Sequence, residues 1–289
     1  MDIIEFTENF NTFYISGNGI NKWVTEVKLQ DYEKDFLTNL VENRFTINLY
    51  SRQMNISTLL GAYCAYNLIN NKDEAILFIT QKREQGVNFL ERVKLILKNF
   101  CEKTKISFNE LIEIDAKTEL RFKNGNKIIT NKAHKDSLRG SRYNKIIIDS
   151  ASHMENLEEF YSMIIPVMGT VENSSLHLVG QATGNQFFQK LYFFDNGFKK
   201  LKYHYSLNPI RYSIEKIQDL KSNFINHQAD WDQEMELIFP EIQIKQNKGN
   251  LLQVRVSDDL YSKIGKCLIE KDCTLSDYLR KLIEKDLQS

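Results

Sequence analysis

Leu29 to Thr58, LQDYEKDFLTNLVENRFTINLYSRQMNIST, is the stretch that decides the fold. Its first half sets Tyr32, Phe36, Leu40 and Val41 at helical spacing, part of an apolar pattern that reads as helical from about Asn21 to Asn43. FTINLYS, alternating and β-branched, predicts a strand. TLLGAYCAYNLIN beyond it predicts another helix, with Ser57 and Thr58 suited to capping its start. A strand, a short loop and a helix N-terminus in that order can aim backbone N–H groups at a phosphate.

The pattern continues outward. AILFIT is an uninterrupted apolar run suited to a buried parallel strand, and GVNFLERVKLILKNF follows it as a helix. LIEID, ELRF and KIIT predict short strands, with Asn124-Gly125 turning the last two into a hairpin. IIID predicts another buried strand, NLEEFYSMIIPVMG a helix and LHLVGQAT a further strand. Strands alternating with helices predict an α/β fold, a mainly parallel sheet with helices on both faces and one inserted hairpin. Near Pro240 the sequence turns polar in IQIKQNKGN, which places a boundary there: a large domain over 1–240, a linker over 241–250 and a small module over 251–289.

Composition excludes several classes. Of 289 residues, 42% are hydrophobic and 26% charged, which fits neither disorder nor a membrane protein. The N-terminus MDIIEFTENF carries acids where a signal peptide carries Lys or Arg, so the expected location is inside a cell. Cys64, Cys101, Cys267 and Cys273 form no C-x-x-C pair, and His134, His153 and the other histidines fall in no metal-ligand spacing. Net charge is zero, so any contact with DNA must come from a local surface.

Four blocks in order resemble the ATPase core of the tailed-phage terminase large subunit, over roughly residues 20–240. The family's phosphate loop has the form [S/T]-R-Q-x-G-K-[S/T], and here it reads Ser51-Arg52-Gln53-Met54-Asn55-Ile56-Ser57-Thr58; Arg52, Gln53 and Ser57 match it, while Asn55 and Ile56 replace its glycine and lysine. The segment from Asn124 to Met168 resembles the one that leads through Leu138-Arg139-Gly140 to a strand ending in two acids; Asp149 keeps the first, and Ser150 replaces the second, catalytic one. Gln181 to Phe188 resembles the family's coupling motif, and WDQEMELIF, Trp231 to Phe239, the stretch that closes the core.

The resemblance implies a P-loop NTPase-like fold and a nucleotide site made by Ser51, Arg52, Gln53, Asn55, Ile56, Ser57 and Thr58, with Glu33 where the family tends to have an adenine-facing Gln. ATP and Mg²⁺ are the implied ligands if the site survives, with Asp149 the one candidate for the metal. Hydrolysis of this kind needs the lysine and the water-positioning carboxylate. Loss of one transition-state donor costs on the order of 10²–10³ in rate, so losing both groups predicts a pseudo-ATPase, with Arg52, Asp149 and Ser150 as remnants of a catalytic set. Arg52 reads equally as a residue capping a turn, and Asp149 as a helix cap or salt-bridge partner. An active motor subunit lacking a nuclease domain is the alternative.

Leu251 to Leu287 resembles a ribbon-helix-helix unit. LLQVRVS alternates, two helical stripes follow, and Thr274-Leu275-Ser276-Asp277 has a capping pattern. The resemblance implies a homodimer in which Gln253 and Arg255 read base edges while Thr274 and Ser276 meet the backbone of double-stranded DNA. Seven basic and seven acidic residues from Leu251 onward predict a weak non-specific phosphate contribution, and a dimerisation module without DNA or a ribbon-helix-helix regulator is the competing reading. Terminase or portal components in the cytoplasm of an infected bacterium are the other implied partners, with no membrane.

Overall fold

The computed structural model describes residues 1–17, 20–25, 28–132, 142–171, 173–223 and 227–240, with a few helical positions between 263 and 279. Gln253, Arg255, Thr274 and Ser276, like Leu138-Arg139-Gly140, lie outside the described residues.

The chain opens with α1 (Ile3–Phe10) and a hairpin of β1 (Thr12–Gly17) and β2 (Ile20–Thr25). Then come α2 (Asp31–Glu42), β3 (Phe45–Tyr50), α3 (Ile56–Asn70), β4 (Ala75–Thr80) and α4 (Arg83–Thr104). The one-turn α5 (Phe108–Leu111) leads into β5 (Ile112–Asp115), β6 (Glu119–Phe122) and β7 (Lys127–Lys132). After β8 (Lys145–Ile148) follow α6 (Leu157–Thr170), β9 (Ser175–Gly180), α7 (Gln186–Phe193), β10 (Lys199–Tyr203), α8 (Ile214–Asn223) and α9 (Gln228–Glu234). The helical reading from about Asn21 therefore holds only from Asp31; residues 20–25 pair as a strand.

Eight strands form one sheet in the order β10-β3-β9-β8-β4-β7-β6-β5. From β10 to β7 every neighbour runs parallel; β7, β6 and β5 are antiparallel, and Gly125 makes the β6–β7 turn at φ 92°, open to glycine at no steric cost. Parallel central strands need cover on both faces, and alternation along β3 and β9 supplies it. Ile47, Leu49, Leu176 and Leu178 face α6 and α7, whose Leu157, Phe160, Ile164 and Phe188 complete that core. Tyr50 and Val179 belong to the other face, where α1 to α4 pack.

That second face contains a polar island. Thr46 Oγ1 lies 2.9 Å from His177 Nδ1, Tyr63 OH lies 3.1 Å from its Nε2, and Asn48 Nδ2 donates to Thr46 Oγ1 at 2.8 Å. Burial pulls the His177 imidazole down to about 3, so it is neutral at physiological pH and held as a core hydrogen-bonding group. Asn55 lies past the end of β3, at the sheet's carboxyl edge, where β8 and β9 also end and where open α/β sheets bind ligands.

Candidate functional site

The loop from Ser51 to Asn55 leaves β3 and enters α3 through two left-handed residues, Gln53 at φ 62° and Asn55 at φ 58°. For residues with a Cβ this conformation is costly, on the order of 1 kcal/mol each, and it persists only where surroundings enforce it. Its consequence is geometric. No acceptor among the described residues meets the backbone N–H groups of Gln53, Met54, Asn55, Ile56 and Ser57, whereas Ser51 N donates to Tyr203 O at 3.0 Å, Arg52 N to Glu234 O at 3.1 Å and Thr58 N to Asn55 O at 2.9 Å. N–H groups that meet no acceptor, set across left-handed residues and a helix start, are an arrangement that can hold an anion. Asn55 is thus the cap position of α3, and Ser57 and Thr58 lie inside its first turn rather than capping it.

The outer side of the loop is tied down by the chain beyond β10. Ser51 Oγ donates to Met235 O at 2.6 Å and accepts from Tyr205 N at 2.9 Å, so its hydroxyl is committed to structure. Arg52 is exposed and pairs with Glu234, while its carbonyl accepts from Tyr212 OH at 2.6 Å. Arg211 Nη1 donates to Gln53 O at 3.0 Å and to Asn55 Oδ1 at 3.1 Å. These partners, none legible from the loop itself, enforce the two left-handed residues.

Glu33 is buried and fully engaged. One oxygen accepts from Gln30 N at 3.0 Å; the other meets Tyr32 OH at 3.2 Å and Asn55 Nδ2 at 3.3 Å. Its carboxylate therefore braces Asn55 and presents no amide donor of the kind a base-facing Gln would offer. Ile56, at the position of the family's lysine, is 2% exposed and packs with Met54, Leu59 and Leu60 in the core. Ser57 and Thr58 are half-buried, and their hydroxyls have no hydrogen-bond partner among the described residues.

Asp149 follows the last residue of β8 and Ser150 comes next, left-handed at φ 56°. Asp149 N donates to Ile79 O at 2.9 Å, but its Oδ1 is buried without a hydrogen bond. Burial raises the carboxyl to about 6, against the pull of the Ser150 N–H and the Arg92 guanidinium. Arg92, which no motif singles out, comes from α4. Its side chain crosses α3 at Gly61, where Cγ and Cδ lie 3.5 Å from the position a Cβ would take. Burial disfavours its charge and Asp149 supports it, yet the guanidinium makes no ion pair or hydrogen bond among the described residues. Tyr50 OH, hydrogen-bonded with the Gln181 side chain, is pushed up by burial and by the Asp149 charge.

The residues fit the ligands unevenly. The free N–H groups suit a polyphosphate, and the open hydroxyl of Ser57 with the unpartnered Asp149 Oδ1 offers two oxygens to a cation. Among the described residues no three His, Cys, Asp or Glu side chains group to hold a metal. No described helix is long and apolar enough to cross a membrane.

Residues 49–179 match the family model described as "Terminase large subunit, T4likevirus-type, N-terminal". The chain is similar in structure to the HK97 bacteriophage large terminase, with TM-score 0.62 and 15% identity over 81% of this chain and 54% of that one. It is also similar to the Thermus phage P74-26 large terminase ATPase domain (TM-score 0.52, 13% identity, 74% of this chain and 100% of that one). A third is the large terminase of a thermophilic bacteriophage in complex with ADP (TM-score 0.54, 11% identity, 74% and 55%). At such identities the likeness establishes the fold, that of a large-terminase ATPase domain. This chain spans about half the length of the HK97 large terminase and of the ADP-bound one.

Proposed function

We propose that this chain is a terminase large-subunit-like protein of the phage DNA-packaging apparatus that binds a nucleotide without hydrolysing it. The observation that carries the reading is Ile56: at the first position of α3 the side chain that would neutralise the β and γ phosphates is an aliphatic one, 2% exposed and packed in the core. Ser150 supports it, because a hydroxyl on a left-handed residue cannot replace the carboxylate that orients the attacking water. The retained N–H concavity supports nucleotide or polyphosphate as the ligand, in keeping with the ADP held by the large terminase of the thermophilic bacteriophage.

Phosphate release from ATP with Mg²⁺ is the direct test. The expected rate equals that of a control lacking the Arg52 side chain, Arg52→Ala; turnover of a few per second would make the chain a working motor subunit instead. DNA contact is proposed for residues 251–289, where the alternation of LLQVRVS would put Gln253 and Arg255 on one face if it formed a strand paired with a second copy.

A further inference from the structure

Glycine inside a helix is unfavourable, because it adds backbone freedom to the unfolded chain and brings no side chain to pack. It suits a position where another group approaches the backbone closely. Gly265 is in such a position. It is helical and buried, beside the half-buried Ile264 and Leu268, and a Cβ placed on it would overlap Cε1 and Cδ1 of the Phe194 ring. The ring rests where any other residue would carry its side chain.

Phe194 belongs to the large domain, as the residue that ends α7. Its backbone is fixed there, the N–H donating to Lys190 O at 3.0 Å and the carbonyl accepting from Lys200 Nζ. The large domain also ends against α7. Phe239 packs on Tyr192 and Phe193 with ring centroids 5.5 and 5.1 Å apart, and Pro240 Cγ lies 3.6 Å from the place of a Cβ on Gly184. Residues 241–262 are chain enough to cross the roughly 12 Å length of α7 and reach Phe194.

We propose that α7 is the docking platform for the C-terminal module of the same chain, with the Phe194 ring seated on the helix backbone at Gly265. The module is then held on the large domain at a fixed place. The other end of α7 is tied behind the sheet's carboxyl edge, Thr183 Oγ1 donating to Ser152 O at 2.5 Å and Asn185 Nδ2 to Met154 O at 2.7 Å. One short helix therefore joins the segment that follows Asp149 and Ser150 to the module for which DNA contact is proposed. The docking is independent of the nucleotide reading.

Hydrogen exchange of the full-length protein, read by mass spectrometry over peptides covering 186–198 and 260–270, tests it. Leu favours a helix over Gly, so Gly265→Leu strengthens the module's own helix and costs only the seat of the ring. It is expected to speed exchange of both peptides roughly tenfold, the scale of an overpacked contact. Phe194→Ala, which leaves the module's sequence untouched, should speed the 260–270 peptide alike, with exchange in β4, β8 and β9 unchanged in either variant. Slower exchange of 260–270 in Gly265→Leu, as helix propensity alone dictates, or an unchanged peptide in Phe194→Ala overturns the proposal. So does protection that grows with protein concentration, since the module would then sit on a second copy. Faster exchange of β4, β8 and β9 in Phe194→Ala overturns it too, by making the ring part of the large domain's core.

Discussion

Replacing Asp149 by Asn should make the protein more stable at neutral pH. The carboxyl is raised from 3.8 to about 6 in the folded chain, chiefly by burial, with the Ser150 N–H and Arg92 opposing the shift. A raised carboxyl favours folding most when it is protonated. Relative stability is therefore full below the unfolded value near 3.8, and it is lost as pH rises to about 6. A shift of roughly two pH units corresponds to about 3 kcal/mol, and because Asp149 is partly exposed we expect roughly 1–3 kcal/mol. The amide cannot ionise, so the variant escapes that loss. Its melting temperature at pH 7.5 should rise by roughly 3–9 °C for a chain of this size. The gain should shrink steadily between pH 6 and 4 and vanish below. Differential scanning calorimetry of the two proteins from pH 3.5 to 8, with EDTA and without nucleotide, gives this difference directly. A variant that is equally or less stable at pH 7.5, or a gain that does not vary with pH, would refute the reasoning.

Two further outcomes follow from other parts of the molecule. His177→Ala removes the acceptor and donor positions that Thr46 and Tyr63 fill and opens a cavity under α3, so urea denaturation should show a loss of roughly 2–4 kcal/mol. The imidazole is held far below its ordinary 6.5, so stability contributed by its neutrality is present above pH 6.5 and lost as pH falls toward 3. The acid limb of the parent's stability curve should flatten in His177→Ala, and an unchanged limb would count against that assignment. Deleting residues 251–289 should abolish retention of double-stranded DNA in a gel-shift series at rising salt; retention by the shortened chain would remove the DNA-binding proposal for that module.

The sheet is legible in the sequence where burial on both faces forces an unmistakable pattern. AILFIT, IIID and LHLVGQAT are apolar runs that stand out because a parallel central strand has no solvent face, and they form β4, β8 and β9. β10, KKLKY, carries no such signal, because an edge strand needs one neighbour only and can carry lysines on its open side; three of its five residues are Lys. Residues 20–25 read as part of the following helix because apolar spacing over a short run fits either period. The loop between β3 and α3 is legible as strand, turn and helix over Asn48 to Thr58. What fixes the loop is not, since Arg211, Glu234 and Met235 lie more than 150 positions away in sequence. Arg92 does carry a signal: it interrupts the apolar stripe Phe89, Val93, Ile96 and Leu97 on the buried side of α4.

The energetic character of the site fits the proposal that it holds a ligand. Gln53, Asn55 and Ser150 are left-handed, Asp149 Oδ1 is buried without a hydrogen bond, and burial disfavours the charge of the half-buried Arg92. Each of these costs stability, by about 1–3 kcal/mol on general grounds. A loop that had lost every function could relax: Asn55 could give up its left-handed turn and pair its N–H, and Arg92 could be an aliphatic residue completing the stripe of α4. The chain instead keeps a row of N–H groups that meet no acceptor among the described residues, while Ile56, at the position of the family's lysine, is buried in the core. Left-handed residues kept around the N–H row, beside a well-buried Ile56, are what the proposed reading expects of a site that holds a phosphate without cleaving it.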